Sequence, residues 1–145
     1  MLKTHILTRV WKLDLPECTF SVVDKHVTIN GTLGHDVLLP CACSGRNESS
    51  EVKWQTEGPN GTPVFRHIQT AETFWGKYKE RGKAFLSENR ENCSILLTNI
   101  TAEDQRKYRC IFSINETYKK SFVTLNISGK SLIHFANQPI SYLTH

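Results

Sequence analysis

Short apolar segments separated by polar turns recur about every eight to twelve residues along the chain, the spacing of a sandwich or barrel. Phe20-Ser21-Val22-Val23 and Val27-Thr28-Ile29 predict a split first strand, and Asn30-Gly31 and Leu33-Gly34 predict the turn after it. From Asp36 to Cys43 every second position is apolar, so Val37, Leu39, Cys41 and Cys43 share one face of a strand. A polar loop, 44–50, leads to a strand over Val52–Gln55, and Gly58-Pro59-Asn60-Gly61 is a turn cluster. Further strands are predicted at Val64–Ile68, Lys83–Leu86, Cys93–Leu97, Lys107–Phe112 and Ser121–Ile127. In the last gap, Ile114-Asn115-Glu116-Thr117 closes a hairpin. No helical period is sustained, so the fold class is all-β.

A chain of 145 residues carries one core. The expected organisation is one domain over 20–128, a flank over 1–19 and a tail over 129–145. The net charge is +4, and acids interleave with the bases, as in Lys77-Tyr78-Lys79-Glu80-Arg81. That is a solvated surface rather than a concentrated nucleic-acid footprint, so no nucleic-acid partner is expected.

Asn-x-Ser/Thr occurs at Asn30, Asn47, Asn60, Asn92, Asn99, Asn115 and Asn126, which are seven of the nine asparagines. With Ser and Thr at roughly one residue in six, chance would place about one or two there. The excess points to N-glycosylation and the secretory pathway, the compartment that also permits disulfides. Five cysteines, Cys18, Cys41, Cys43, Cys93 and Cys110, leave one over, and Cys18 is the expected odd thiol. The first twelve residues lack an apolar run of signal-peptide length, and no segment is long enough to span a bilayer. The sequence is therefore expected to be a piece of a longer exported protein.

Cys41, Trp54, Asp104, Tyr108 and Cys110 stand in the order and spacing of an immunoglobulin sandwich. Together they resemble the V-set of the immunoglobulin superfamily over Phe20 to Ser128. The runs Tyr78-Lys79-Glu80-Arg81 and Asn92-Cys93-Ser94-Ile95-Leu96-Leu97-Thr98-Asn99-Ile100 are similar to the butyrophilin-like and myelin-oligodendrocyte-glycoprotein-like branch. Leu38-Leu39-Pro40-Cys41-Ala42-Cys43 resembles V-set proteins of bony fish. Two departures stand out. Arg106 occupies a position where the family usually has a small residue, which predicts a crowded corner before Tyr108. The last strand also lacks the Phe-Gly-x-Gly bulge of antigen-receptor variable domains.

The resemblance implies a V-set Greek-key sandwich with strands lettered A to G, including C′ and C″ between Trp54 and Tyr78. It implies a Cys41–Cys110 bridge between strands B and F, covered by Trp54, and an Arg81–Asp104 ion pair across one end. Strand E runs antiparallel beside B in that topology, which brings Cys43 near Cys93 and makes a second bridge, Cys43–Cys93, the expected pairing, with two buried free thiols as the alternative. The implied role is recognition by a cell-surface glycoprotein, a co-signalling ligand type that binds another immunoglobulin-superfamily protein or a second copy of itself. An immune-type receptor ectodomain, a homophilic adhesion domain and a secreted decoy are the alternatives. If Trp54 and Cys110 face inward, Lys53, Gln55, Arg109 and Ile111 face outward on the G-F-C-C′ sheet. Phe65 and Phe122 are expected to join them as partner-binding residues.

No catalytic constellation is present. His5, His26, His35, His67, His134 and His145 are dispersed, without paired metal-ligand spacing. Glycine-rich phosphate loops and a nucleophile elbow are absent. Zinc would fit poorly, because the cysteines stand as Cys-x-Cys plus two isolated residues. No enzyme activity, cofactor or metal is expected.

Overall fold

Alternation sets the strands, and Pro40 sets where one of them stops. The computed structural model describes residues 24–129. Nine strands follow one another: β1 (Lys25–Thr32), β2 (Val37–Leu39), β3 (Val52–Thr56), β4 (Pro63–Ile68), β5 (Ala71–Phe74), β6 (Gly82–Ala84), β7 (Ile95–Leu97), β8 (Lys107–Ile114) and β9 (Thr117–Ser128). They form a six-stranded sheet, β1-β9-β8-β3-β4-β5, and a three-stranded sheet, β2-β7-β6. Phe20–Val23, the first half of the split strand, and Cys18 lie outside the described residues.

The pairing in β2 ends at Leu39 because Pro40 has no N–H to give the ladder. The inward period nevertheless continues, with Val37, Leu39, Cys41 and Cys43 all buried. Beyond the proline, the Cys41 N–H donates to Ser94 Oγ at 2.9 Å and Cys93 N–H donates to the Cys41 carbonyl at 2.8 Å. The chain meets its neighbour again at the bridge between Ala42 and Asn92.

The two sheets enclose Val37, Leu39, Val52, Trp54, Val64, Ile95, Leu97, Ile100, Tyr108, Val123 and Leu125. Complete burial of a large aliphatic or aromatic side chain stabilises by about 1.5–3 kcal/mol, so this cluster is the main support of the fold. β1 pairs parallel to β9, and at Gly31 it comes so close to the core that a Cβ would sit 2.6 Å from Ile100 Cδ1. The β8–β9 hairpin turns on Asn115 and Glu116, with φ of 49° and 65°. Two left-handed residues make the tight turn that matches the strand twist.

Candidate recognition face

The outer side of the six-stranded sheet is built by the period of two. Trp54, Tyr108 and Cys110 are fully buried, so their neighbours along β3 and β8 point outward. Lys53 stands opposite Ile111, and Ile111 opposite Lys120; Gln55 stands opposite Arg109, and Arg109 opposite Phe122. Arg66 extends the first row from β4. Lys53, Gln55, Arg109 and Ile111 are each partly exposed. The Gln55 carboxamide, oriented with its oxygen toward β8, accepts from Arg109 Nη2 at 2.6 Å and Nε at 3.0 Å. Both donors converge on that one oxygen, which ties the Arg109 guanidinium to β3.

Two expected members of this face behave differently. Phe65 is a core residue, 1% exposed and packed on Phe74 with ring centroids 4.6 Å apart. The register shifts between Trp54 and Gln55, and this bulge turns both Val64 and Phe65 inward. Phe122 does lie on the outer side but is covered. His26 of β1 stacks on it at 4.6 Å, and Lys107 Nζ lies 5.4 Å from its ring centre. Neither ring is offered to a partner.

Lys107, Arg66 and Lys120 were not singled out from the sequence. Extending the alternation of β9 back from Phe122 would have reached Lys120 and Tyr118, the latter 73% exposed. Lys107 pairs with Glu57 at 3.1 Å, and Arg66 pairs with Glu51. Among the described residues Lys53, Arg109 and Lys120 have no such acid partner, and these cations surround Ile111.

The ends and interior fix this sheet. Cys41–Cys110 and Cys43–Cys93 are bonded, with Cα separations of 6.5 and 5.8 Å. Trp54 stands opposite Cys110, and its indole N–H donates to the Cys93 carbonyl at 2.7 Å. At the far end Tyr108 donates its hydroxyl to the Asp104 carbonyl at 2.6 Å. Burial pushes the Tyr108 hydroxyl well above its ordinary pKa, and the neighbouring Tyr78 hydroxyl pushes it further. Arg81 grips the Asp104 carboxylate, and Lys77 Nζ stands 3.5 Å away. Arg106 is exposed, so the corner is not crowded by it.

The acceptor asparagines are spread over the surface. Asn47 lies in the loop after β2, Asn60 between β3 and β4, and Asn115 at the β8–β9 turn, all exposed. Asn99 is exposed in a left-handed conformation, with φ 48°. Asn30 and Asn126 are direct neighbours across β1 and β9, both on the outer side. Asn92 is half-buried on the small sheet. Among the described residues no group of three or more His, Cys, Asp or Glu could hold a metal, and no helix is long and apolar enough to cross a membrane.

Nine strands in this order, bridged between sheets beside a buried tryptophan and closed by a tyrosine corner, define a variable-type immunoglobulin domain. The immunoglobulin V-set domain model matches residues 24–128. Bovine butyrophilin subfamily 1 member A1 is 27% identical over 130 residues; the match covers 86% of this chain and 24% of that protein, so the chain spans about a quarter of its length. The chain belongs to the immunoglobulin V-set family. Solved structures share the fold. The second immunoglobulin domain of the mouse polymeric immunoglobulin receptor superposes with a TM-score of 0.61 at 17% identity, over 72% of this chain and 97% of that one. The extracellular domain of the voltage-gated sodium channel beta4 subunit, described as a parallel homodimer with a role in cell-cell adhesion, gives 0.55 at 22%, over 73% and 88%. The CD2-binding domain of CD58 (lymphocyte function-associated antigen 3) gives 0.56 at 15%, over 70% and 53%. The likeness to these solved structures is one of fold, and the V-set fold is not generally enzymatic.

Proposed function

We propose that the chain is the recognition module of an extracellular, cell-surface glycoprotein of co-signalling ligand type. It binds another immunoglobulin-superfamily protein through the outer side of the six-stranded sheet, centred on Ile111. The observation that carries this reading is the cross-strand row Arg66–Lys53–Ile111–Lys120. An apolar centre inside a polar rim is the anatomy of a protein contact. The loop end is less suitable: its β8–β9 turn has two residues, and Asn47 and Asn115 bring glycan acceptors to that end. Homophilic pairing through the same face is disfavoured, because a second copy would set Lys53, Arg109 and Lys120 against their own kind.

The test uses a soluble, multimerised form of the chain, screened on cells that each display one immunoglobulin-superfamily ectodomain. Ile111→Asp should lose binding to the ectodomain found, at least tenfold, because a charge at the centre of an apolar contact is desolvated without a mate. Its thermal unfolding should stay close to that of the parent. Asn115→Gln should bind as the parent does. Normal binding by Ile111→Asp, with loss on substitution of Asn115 and Glu116, would move the contact to the loop end.

A further inference from the structure

The outer side of the three-stranded sheet is unlike the rest of the surface. Its first outward row is Leu38–Leu96–Lys83, set by direct cross-strand pairs. Leu39, Ile95 and Ala84 form the inward row that follows, and Pro40 and Phe85 come partly to the surface beyond it, on either side of the buried Ser94. Ala42 and Asn92 make the last outward row. Lys83 carries the single charge of these rows. Leu38 is 45% exposed, Ala42 is exposed, and Pro40, Phe85 and Leu96 are partly so. A contiguous apolar stripe of this kind on an exported domain marks a contact or invites association.

We propose that an N-linked glycan on Asn92 lies along this stripe and covers it. The inference rests on the glycoprotein reading above. Asn92-Cys93-Ser94 is an acceptor sequence that begins on the stripe itself. Cys93 is buried and bonded to Cys43, which fixes the acceptor strand and turns Asn92 to the opposite side. Asn92 Oδ1 accepts from the Ser94 N–H at 3.1 Å, which leaves Nδ2, the attachment atom, on the far side of the carboxamide. From Ala42, beside the acceptor, to Leu38 is about 13 Å along the strand. A short chain of linked pyranose rings spans that length. Each ring carries a C–H face that packs on apolar side chains while its hydroxyls stay in water. Leu38, Pro40, Leu96 and Phe85 would then be shielded by the chain's own sugar, and the charged face of the other sheet would remain the open one.

The experiment secretes the chain from mammalian cells behind a supplied leader and maps occupancy at each acceptor by mass spectrometry. Wild type, Asn92→Gln and Asn47→Gln are compared by binding of the dye ANS and by sedimentation velocity. Asn92 should be occupied. Asn92→Gln should bind several-fold more ANS and self-associate, whereas Asn47→Gln should match wild type. Adding Leu38→Lys to Asn92→Gln should restore monomeric behaviour. If Asn92→Gln is not secreted, trimming folded wild type to the first sugar with an endoglycosidase should produce the same rise in ANS binding. A bare Asn92 beside other occupied acceptors would overturn the inference alone. So would an Asn92→Gln protein, or a trimmed one, with wild-type ANS binding, or a glycosylated wild type whose dimer is abolished by Leu38→Lys. Seven bare acceptors would overturn the glycoprotein reading itself.

Discussion

Arg81 holds both carboxylate oxygens of Asp104, Nη1 to Oδ2 and Nη2 to Oδ1, each at 2.9 Å. Asp104 is fully buried, while the Arg81 side chain is 18% exposed. The same guanidinium donates to the Lys77 carbonyl at 2.9 Å and to the Thr98 carbonyl at 3.1 Å, tying the approach to β6 to the end of β7. Arg81→Met would leave the carboxylate buried with Lys77 as the nearest cation and the Thr101 N–H as its remaining donor. Breaking a buried pair from one side costs about 3–5 kcal/mol. Urea unfolding of Arg81→Met should show a loss of that size, and Arg81→Lys should recover only part of it, since an ammonium cannot grip both oxygens. An unchanged midpoint for Arg81→Met would show that water replaces the guanidinium without penalty.

Acid should destabilise the domain in two windows. Burial alone would raise the Asp104 pKa, but the donors of Arg81 and Thr101 outweigh it and hold the carboxyl below its ordinary value. The unfolded carboxyl titrates near pH ~4. Its stabilising contribution is therefore full above that pH and is lost as the pH falls toward the lower folded value. Burial also lowers the pKa of His67, opposed by Glu72 and helped by Arg46, and its Nδ1 has no hydrogen-bond partner. The unfolded imidazole binds its proton near pH ~6.5, so stability should begin to fall below that pH. Denaturant midpoints between pH 7 and 3 should show a shallow fall below about 6.5 and a steeper one below about 4. His67→Gln should remove the first and leave the second. A first fall that survives in His67→Gln would assign it to another group.

The two bridges should be of nearly equal worth. Cys41–Cys110 closes 69 residues and Cys43–Cys93 closes 50. Loop-closure entropy depends on the logarithm of length, so each is worth about 4 kcal/mol and the two differ by only about 0.3 kcal/mol. Double replacements, Cys41→Ala with Cys110→Ala and Cys43→Ala with Cys93→Ala, should lower thermal stability by comparable amounts. A loss confined to the first pair would mean that packing on Trp54, rather than chain entropy, sets the value of a bridge here.

Side of sheet was legible in the sequence, and neighbours across strands were less so. Trp54, Tyr108 and Val37 are buried where alternation puts them, because a period of two is local. Phe65 departs from the expected outward side because one bulge at Trp54 and Gln55 resets the period of β4, and nothing in Pro63-Val64-Phe65 announces it. Phe122 lies on the expected side, yet its exposure depends on His26, delivered by a parallel strand about a hundred residues earlier in the chain. Strand lengths also depended on pairing. β9 starts at Thr117 rather than Ser121 because β8 continues to Ile114 and supplies partners for four more residues. Those residues include Lys120, one of the cations around the candidate contact.

The β8–β9 turn offers a stability gain at a known position. Both central residues have positive φ, Asn115 at 49° and Glu116 at 65°. Asparagine tolerates this region through its short polar side chain, whereas for glutamate it costs about 1–2 kcal/mol. Glycine would remove that strain but adds freedom to the unfolded chain, so Glu116→Gly should stabilise by up to about 1 kcal/mol. For a domain of this size that raises the melting temperature by about 4 °C or somewhat more. Asn115-x-Thr117 survives the change, so glycosylation at the turn is not confounded with it. Asn115→Gly, relieving a residue already at ease there, should gain less. Differential scanning calorimetry of the two variants separates the effects. A lower melting temperature for Glu116→Gly would mean that the glutamate side chain makes a contact whose loss exceeds the relief of strain.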